Sequence, residues 1–394
     1  MSKIVFFSIP AHGHINPTLG VISELVRRGN EVWFYASNPK NRFSEKIKNT
    51  GANFVSCDPY IENRNLDLSK YERNNLDMES SIKLLVDTTL AVNDSIYREI
   101  EELKPDCIVA DSMAIWGKHI ADKLNIPFIS SKTTFAFNDQ SRKTMKGGIS
   151  DLFKLIKSLS KTKKYIKKLQ DKGYNIKSVM DIIKNDNDVN TIVYTSPEFQ
   201  PYSETFSDKY LFAGPSLRKS RDEIKKENDR LIYISMGTVV KDLEEFYKNC
   251  LIALGDTRYQ VIISAGEAVD INRLGCIPDN ITIKKSVDQI AVLEKADAFI
   301  SHCGMNSVNE SLYCKVPLVM YPQTAEEEGI ANRVEELKAG VFLKGTDINS
   351  ILRGVEEVIF NNEYAKNAGI ISDGFKRCPG VEGAADKILD ACNK

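Results

Sequence analysis

The sequence predicts an α/β protein built from two doubly wound parallel-sheet domains. Three observations carry the prediction. Short continuous apolar runs alternate with segments of helical spacing along both halves of the chain, as expected of strands covered on both faces by crossover helices. The chain has 394 residues, and at roughly 150 residues per domain this is two or three domains. A polar, turn-rich stretch over 214–230 divides two βα series of similar size.

Composition narrows the function classes. With 53 Lys+Arg against 54 Asp+Glu the formal charge is −1, so no global field recruits nucleic acid or an anionic membrane. The hydrophobic fraction of 42% and charged fraction of 27% argue against collagen, coiled coil and disorder. The apolar run after Lys3 is short for a secretory signal, and no window reaches the roughly 18 apolar residues of a membrane span. The eight cysteines are scattered without a C-x-x-C and read as reduced, mostly buried thiols of a cytoplasmic protein.

In the first half, Lys3–Ile9 is a strand-like apolar run. Leu19, Ile22, Leu25 and Val26 give Pro17–Arg28 a helical stripe, which Gly29 stops. Val32–Ala36 and Gly51–Cys57 supply further strands, Met78–Leu103 a long helix, and Cys107–Ala110 a buried strand ending at Asp111. Ala114–Leu124 reads as helix and Pro127–Ser130 as strand. Residues 135–190 break the rhythm. Lys154, Lys157, Lys161, Lys163, Lys164, Lys167, Lys168 and Lys172 alternate with apolar positions, among them Leu152, Ile156, Leu159, Ile166 and Leu169. The stretch reads as amphipathic helices with solvated lysine faces, the alternative being a membrane-surface patch. Thr191–Thr195 and Tyr210–Phe212 return to strand.

The second series has strands at Leu231–Ser235, Gln260–Ser264, Ile281–Ile283, Ala298–Ser301 and Pro317–Met320. Its helices fall near 242–254, 289–295, 306–314, 328–338 and 348–360. Two βα domains of this kind suit an enzyme that works in a cleft.

Two constellations carry chemistry. Pro10-Ala-His-Gly-His-Ile-Asn-Pro17 lies where the first strand hands over to a helix, at the carboxyl edge where open parallel sheets bind ligands. Gly13 permits a tight turn, Asn16 is a candidate N-cap and Pro17 fits the first helical turn. His-x-His is a metal pattern in other folds, but His119 and His302 lie far off in the chain, so no metal is expected. Asp111 projects from the same sheet edge and can fix the tautomer of His14, making its other nitrogen a base. The competing reading of Asp111 is an N-cap before Ala114.

The second constellation is Phe299-Ile-Ser-His-Cys-Gly-Met-Asn-Ser-Val-Asn-Glu-Ser-Leu312, again strand, glycine turn and helix. Gly304 allows close backbone approach, Asn306 or Ser307 begins the helix, and His302 adds a donor at its mouth. A helix N-terminus here suits a diphosphate, with Glu310 able to accept from ribose hydroxyls. The competing reading is a capping box from Ser307 to Glu310. Gly237-Thr238 offers a second phosphate-facing turn, and no GxxxxGK[ST] is present.

These motifs, SIPAHGHINP, the Asp after the fourth strand-like run, and Gln289…SHCGMNSVNES…VPLVMYPQ, span nearly the whole chain. On them the chain resembles the inverting UDP-sugar-dependent glycosyltransferases of the two-Rossmann (GT-B) type, and most of all the bacterial macrolide and flavonoid glycosyltransferases. The resemblance implies two Rossmann-like domains facing across a cleft. Residues 1–213 would bind the acceptor, 214–230 link, and 231–363 bind the nucleotide sugar. The helices of 364–394 would return to the first domain. It implies His14 as general base and Asp111 as its support. Gly13 and Thr238 would approach the donor, and His302, Gly304, Asn306 and Ser307 would hold the diphosphate. Glu310 would take the ribose, Gln289 and Val287 the uracil, and Gln323, Glu326 and Glu327 the sugar. It implies no cofactor and no metal, a UDP-sugar as co-substrate, and a hydrophobic hydroxylated small molecule as acceptor. The product would be a β-glycoside of a hexose, glucose above all, and the enzyme a monomer or weak homodimer.

Two positions depart from the family pattern. Ser286 stands where an aromatic residue stacks on the base, a contact worth about 1–3 kcal/mol. Glu327 stands where a Gln is usual, and an ionised carboxylate accepts but cannot donate. Low donor affinity or a changed sugar preference is the expectation. Alternatives are a peripheral membrane glycosyltransferase acting on lipid, a UDP-sugar epimerase, and a non-catalytic UDP-sugar binder. Salt-sensitive liposome binding, product formed without acceptor, and indifference to His14→Ala would mark them in turn.

Overall fold

The structure is a computed structural model and describes residues 1–38, 41–62, 78–138, 161–183, 188–218, 220, 222–237 and 243–393. The chain forms two units, one comprising Met1–Ser216 with Cys378–Lys394 and the other Leu217–Arg377.

Seven parallel strands make the sheet of the first unit: β1 (Lys3–Phe7), β2 (Glu31–Ala36), β3 (Asn53–Ser56), β4 (Cys107–Asp111), β5 (Phe128–Lys132), β6 (Thr191–Val193) and β7 (Tyr210–Phe212). Their order is β3-β2-β1-β4-β5-β6-β7. The order reverses between β1 and β4, which pair from Ile4↔Cys107 to Phe7↔Ala110. The period of two in each strand divides the core. Ile4, Phe6, Phe34 and Val109 pack with Ile22 and Leu25 of helix α1 (His12–Arg27). Val5, Phe7, Tyr35 and Ile108 pack on the other face with Val92 and Ile96 of α2 (Met78–Leu103) and Trp116 and Ile120 of α3 (Ile115–Leu124).

The described part of the lysine-rich stretch is an amphipathic helix over 161–171. Its Tyr165, Ile166 and Leu169 are buried against Ile82, Leu85 and Val86 of α2. Lys161 and Lys164 reach Glu79, and Lys168 reaches Asp87. The apolar stripe of 161–171 is therefore already covered, while Leu152, Ile156 and Leu159 lie outside the described residues. Lys154 and Lys157 lie outside the described residues. Among the described residues, no helix is long and apolar enough to cross a membrane.

The second unit has six parallel strands, β8 (Leu231–Ser235), β9 (Gln260–Ser264), β10 (Ile281–Lys284), β11 (Ala298–Ser301), β12 (Leu318–Met320) and β13 (Gly340–Phe342), ordered β10-β9-β8-β11-β12-β13. The short edge strand β13 is absent from the sequence reading. Its helices are α4 (Glu244–Gly255), α5 (Gln289–Leu293), α6 (Met305–Tyr313), α7 (Ala325–Glu336), α8 (Ile348–Phe360) and α9 (Asn362–Arg377). Here the order reverses between β8 and β11.

The closing helices part company. α9, expected to return to the first unit, stays with the second, where Ser372 Oγ donates to the Tyr313 carbonyl at 2.6 Å. Pro379 ends the run because its ring cannot continue a helix. Only α10 (Gly380–Cys392) joins the first unit, burying Ala384, Ala385 and Ile388 in its core. Arg28, the C-cap of α1, bridges to Asp386 at 2.5 Å.

Candidate functional site

In each unit the chemistry-bearing residues emerge at the strand order's reversal, the point where open α/β sheets bind ligands. In the first unit these are the segment after β1 and the end of β4. α1 begins at His12, with Ala11 as N-cap, and not at Asn16–Pro17. The Ala11 carbonyl accepts the N–H groups of both His14 and Ile15 at 3.0 Å and so starts the helix five residues early. Pro17 falls in the second turn, where it forgoes a bond to the Gly13 carbonyl. Gly13 is helical rather than a tight turn, and a Cβ there would meet nothing within 4 Å.

This early start puts His14 in the first turn of α1, where its Nδ1 lies 2.7 Å from Asp111 Oδ2. Asp111 is buried and accepts the Met113 N–H on its other oxygen at 2.8 Å. It is not the N-cap of α3, a place taken by Ala114. With Nδ1–H donated to the carboxylate, the basic nitrogen of His14 is Nε2. Thr133 Oγ1 stands 3.3 Å from the same Nδ1. Sequence reasoning missed Thr133, although it directly follows β5, the neighbour of β4.

His12 diverges from His14. Its ring meets Phe43 edge-on at 4.9 Å. Burial, with Lys46 and Arg42 adding to it, pushes its pKa down to about 4. His119 stacks on Tyr174 at 3.7 Å and is also lowered to about 4, chiefly by burial. Phe135, shortly after β5, is buried and packs on Phe199 at 5.4 Å.

In the second unit the loops after β8 and β11 meet. His302 lies against Gly237 and Gly304, and a Cβ at either would come within 2.7 Å of its ring. Glycine at both positions is thus what lets the imidazole sit there. Cys303 between them holds φ 69°, a left-handed value uncommon outside glycine, and its N–H is pinned by Ser301 Oγ at 3.1 Å. Burial lowers His302 to about 4, partly offset by the Ser235 carbonyl, so the ring is neutral near pH 7. Thr238 lies outside the described residues.

α6 begins at Met305 with Gly304 as N-cap, so the N–H groups of its first turn, Asn306 and Ser307 included, are at the helix mouth. The capping box from Ser307 to Glu310 does not form, because both residues are already inside the helix. Glu310 instead accepts from Gln289 Nε2 at 2.6 Å, and burial raises its pKa against the opposing effects of Gln289 and Arg218. Gln289 opens α5, capped by Asp288. Ser286 is exposed and Val287 half-buried just before it.

Glu327 has a role the sequence reading overlooked. It completes a capping box with Thr324 at the start of α7, accepting the N–H groups of Gln323 at 2.7 Å and Thr324 at 3.0 Å. Its Oε1 stands 4.0 Å from His302 Nε2. Burial raises its pKa. Gln323 and Glu326 are exposed, and the Gln323 amide turns back to the Tyr321 and Pro322 carbonyls.

Two parallel sheets, each with a helix N-terminus at its switch point, carry a histidine–carboxylate pair in one unit and a glycine-walled histidine in the other, and so make a protein of two Rossmann-like units. Residues 219–379 match the family model of UDP-glucuronosyl and UDP-glucosyl transferases. The chain is 34% identical to the NDP-glycosyltransferase YjiC of Bacillus subtilis (strain 168), over 98% of this chain and 96% of that protein. It is 26% identical to the demethyllactenocin mycarosyltransferase of Streptomyces fradiae, over 98% of this chain and 86% of that protein. The crystal structure of the kitacinnamycin glycosyltransferase superposes with a TM-score of 0.83 at 23% identity, covering 99% of this chain and 98% of that one. The chain belongs to the UDP-glycosyltransferase family.

Proposed function

We propose that the protein transfers a hexose from UDP-sugar, glucose above all, to a hydroxyl of a hydrophobic small molecule, with inversion and without a metal. His14 Nε2 takes the proton of the acceptor hydroxyl as its oxygen attacks the anomeric carbon. The bond from that carbon to the diphosphate oxygen breaks, UDP leaves with the electron pair, and an α-linked donor yields a β-glycoside. The imidazolium that forms is paired with Asp111. Charge developing on the diphosphate faces the first turn of α6 and the neutral His302, a preorganised set of donors of the kind that stabilises leaving groups. Glu310 accepts from the ribose hydroxyls, and Gln289 and Val287 contact the base.

The observation that carries this reading is the 2.7 Å contact from His14 to a buried carboxylate, which assigns the tautomer a general base requires. A small-molecule acceptor is supported by the relative named as a demethyllactenocin mycarosyltransferase. A donor-by-acceptor screen by mass spectrometry, with His14→Ala alongside, tests it. The expected result is a mass gain of one hexose on hydroxylated aromatic or macrolide acceptors, abolished in the variant. Conversion of UDP-sugar without acceptor, or equal product from His14→Ala, would overturn it.

A further inference from the structure

Tyr233 is 1% exposed in the middle of β8, and its ring stacks on Phe299 across the β8–β11 register at 4.7 Å. A phenylalanine would satisfy that packing, so the buried hydroxyl requires its own account. It lies 3.2 Å from Gln289 Oε1. The other end of that amide donates to Glu310 Oε2 at 2.6 Å and lies 3.3 Å from Ser307 Oγ. Gln289 thus turns its NH2 to Glu310 and its carbonyl to Tyr233. The phenol O–H is the donor that carbonyl needs. Burial raises the pKa of the phenol, so its proton stays in place for Gln289.

We propose that Tyr233 is a positioning residue for the donor: through Gln289 it fixes the Glu310 carboxylate, so that one oxygen is held by the protein and the other is presented to the vicinal hydroxyls of a ribose. This rests on the reading of Glu310 as the ribose acceptor. Without the phenol proton the amide is not held to one orientation, and its carbonyl can turn toward the carboxylate. Ribose recognition weakens while the diphosphate cradle at α6 is untouched.

Calorimetric titration with UDP and with 2′,3′-dideoxy-UDP separates the two ideas. The wild type prefers UDP by about tenfold, and Glu310→Gln brings the two nucleotides within about twofold. Tyr233→Phe, which keeps the stack on Phe299, narrows the preference for UDP over dideoxy-UDP from about tenfold to about twofold. If Tyr233→Phe keeps the wild-type ratio while Glu310→Gln abolishes it, the relay is wrong and the ribose reading stands. If the wild type shows no preference, or Glu310→Gln retains it, the ribose reading falls and the relay falls with it.

Discussion

The carboxylate of Asp111 joins two elements at once, holding His14 Nδ1 at 2.7 Å with one oxygen and the Met113 N–H at 2.8 Å with the other. The second bond stops the carboxylate from rotating, so the imidazole it orients is held too. Removing the base should therefore cost chemistry rather than donor binding. His14→Ala is expected to lower kcat by at least about a hundredfold with UDP affinity retained. Asp111→Asn substitutes an amide that can donate, which favours the wrong tautomer, and should lower kcat by about 10 to 1,000-fold. Steady-state kinetics beside UDP titration checks both, and a loss confined to KM would count against the assignment.

The neutral His302 makes a prediction about pH and stability. Its folded pKa is about 4 against an ordinary 6.5. Between those values the unfolded chain binds a proton that the native site refuses, so stability is complete above about pH 6.5 and falls as pH drops toward 4. The full shift is worth about 3 kcal/mol. His302→Gln removes the linkage, and proton uptake on unfolding at pH 5.5 should fall by about 0.9. Denaturant melts across that window measure it, and an unchanged pH slope would show that the ring is already charged.

Much of this was legible in the sequence because buried parallel strands are continuous apolar runs, and Leu231–Ser235, Gln260–Ser264 and Ala298–Ser301 are read without error. The misreadings came from local patterns that fit two structures. Asn16-Pro17 has the chemistry of a helix start, yet the Ala11 carbonyl begins α1 earlier. Ser307 and Glu310 have capping-box spacing, yet Gly304 is the N-cap and Gln289 claims the carboxylate. The pair of His14 with Asp111 was legible because both stand at strand ends. Tyr233 was not, because a hydroxyl inside an apolar run leaves no mark on periodicity. The last two helices form one apolar pattern in sequence, and their division between units depends on which partner surface each buries.

Glu327 tests the donor site's charge. Its carboxylate closes the α7 capping box and stands 4.0 Å from His302. A Gln keeps the box, since its carbonyl still accepts the Gln323 and Thr324 N–H groups. What it removes is a negative charge beside the histidine proposed to hold the diphosphate. Glu327→Gln is therefore expected to lower the donor KM by about tenfold, with Tm within about 2 °C of wild type. The sugar range should also shift, because the amide donates where the carboxylate only accepted. Kinetics over a panel of UDP-sugars reads both effects, and no change in either would remove Glu327 from the donor site.

The return of α10 makes the carboxyl terminus a structural part of the first unit. Ile388 is fully buried among Ile15, Ile22, Val109 and other core residues. Truncating it leaves a cavity in a core that relaxes only partly, and Ile388→Ala should cost about 2–5 kcal/mol. Asp386, by contrast, is largely exposed although it bridges to Arg28 at 2.5 Å. Solvent screens such a pair, so Asp386→Ala should cost less than about 1 kcal/mol. Urea melts of the two variants decide which interaction ties the helix down. If the charge removal costs more than the cavity, α10 is held at its rim by the ion pair and not by the apolar face it shares with α1.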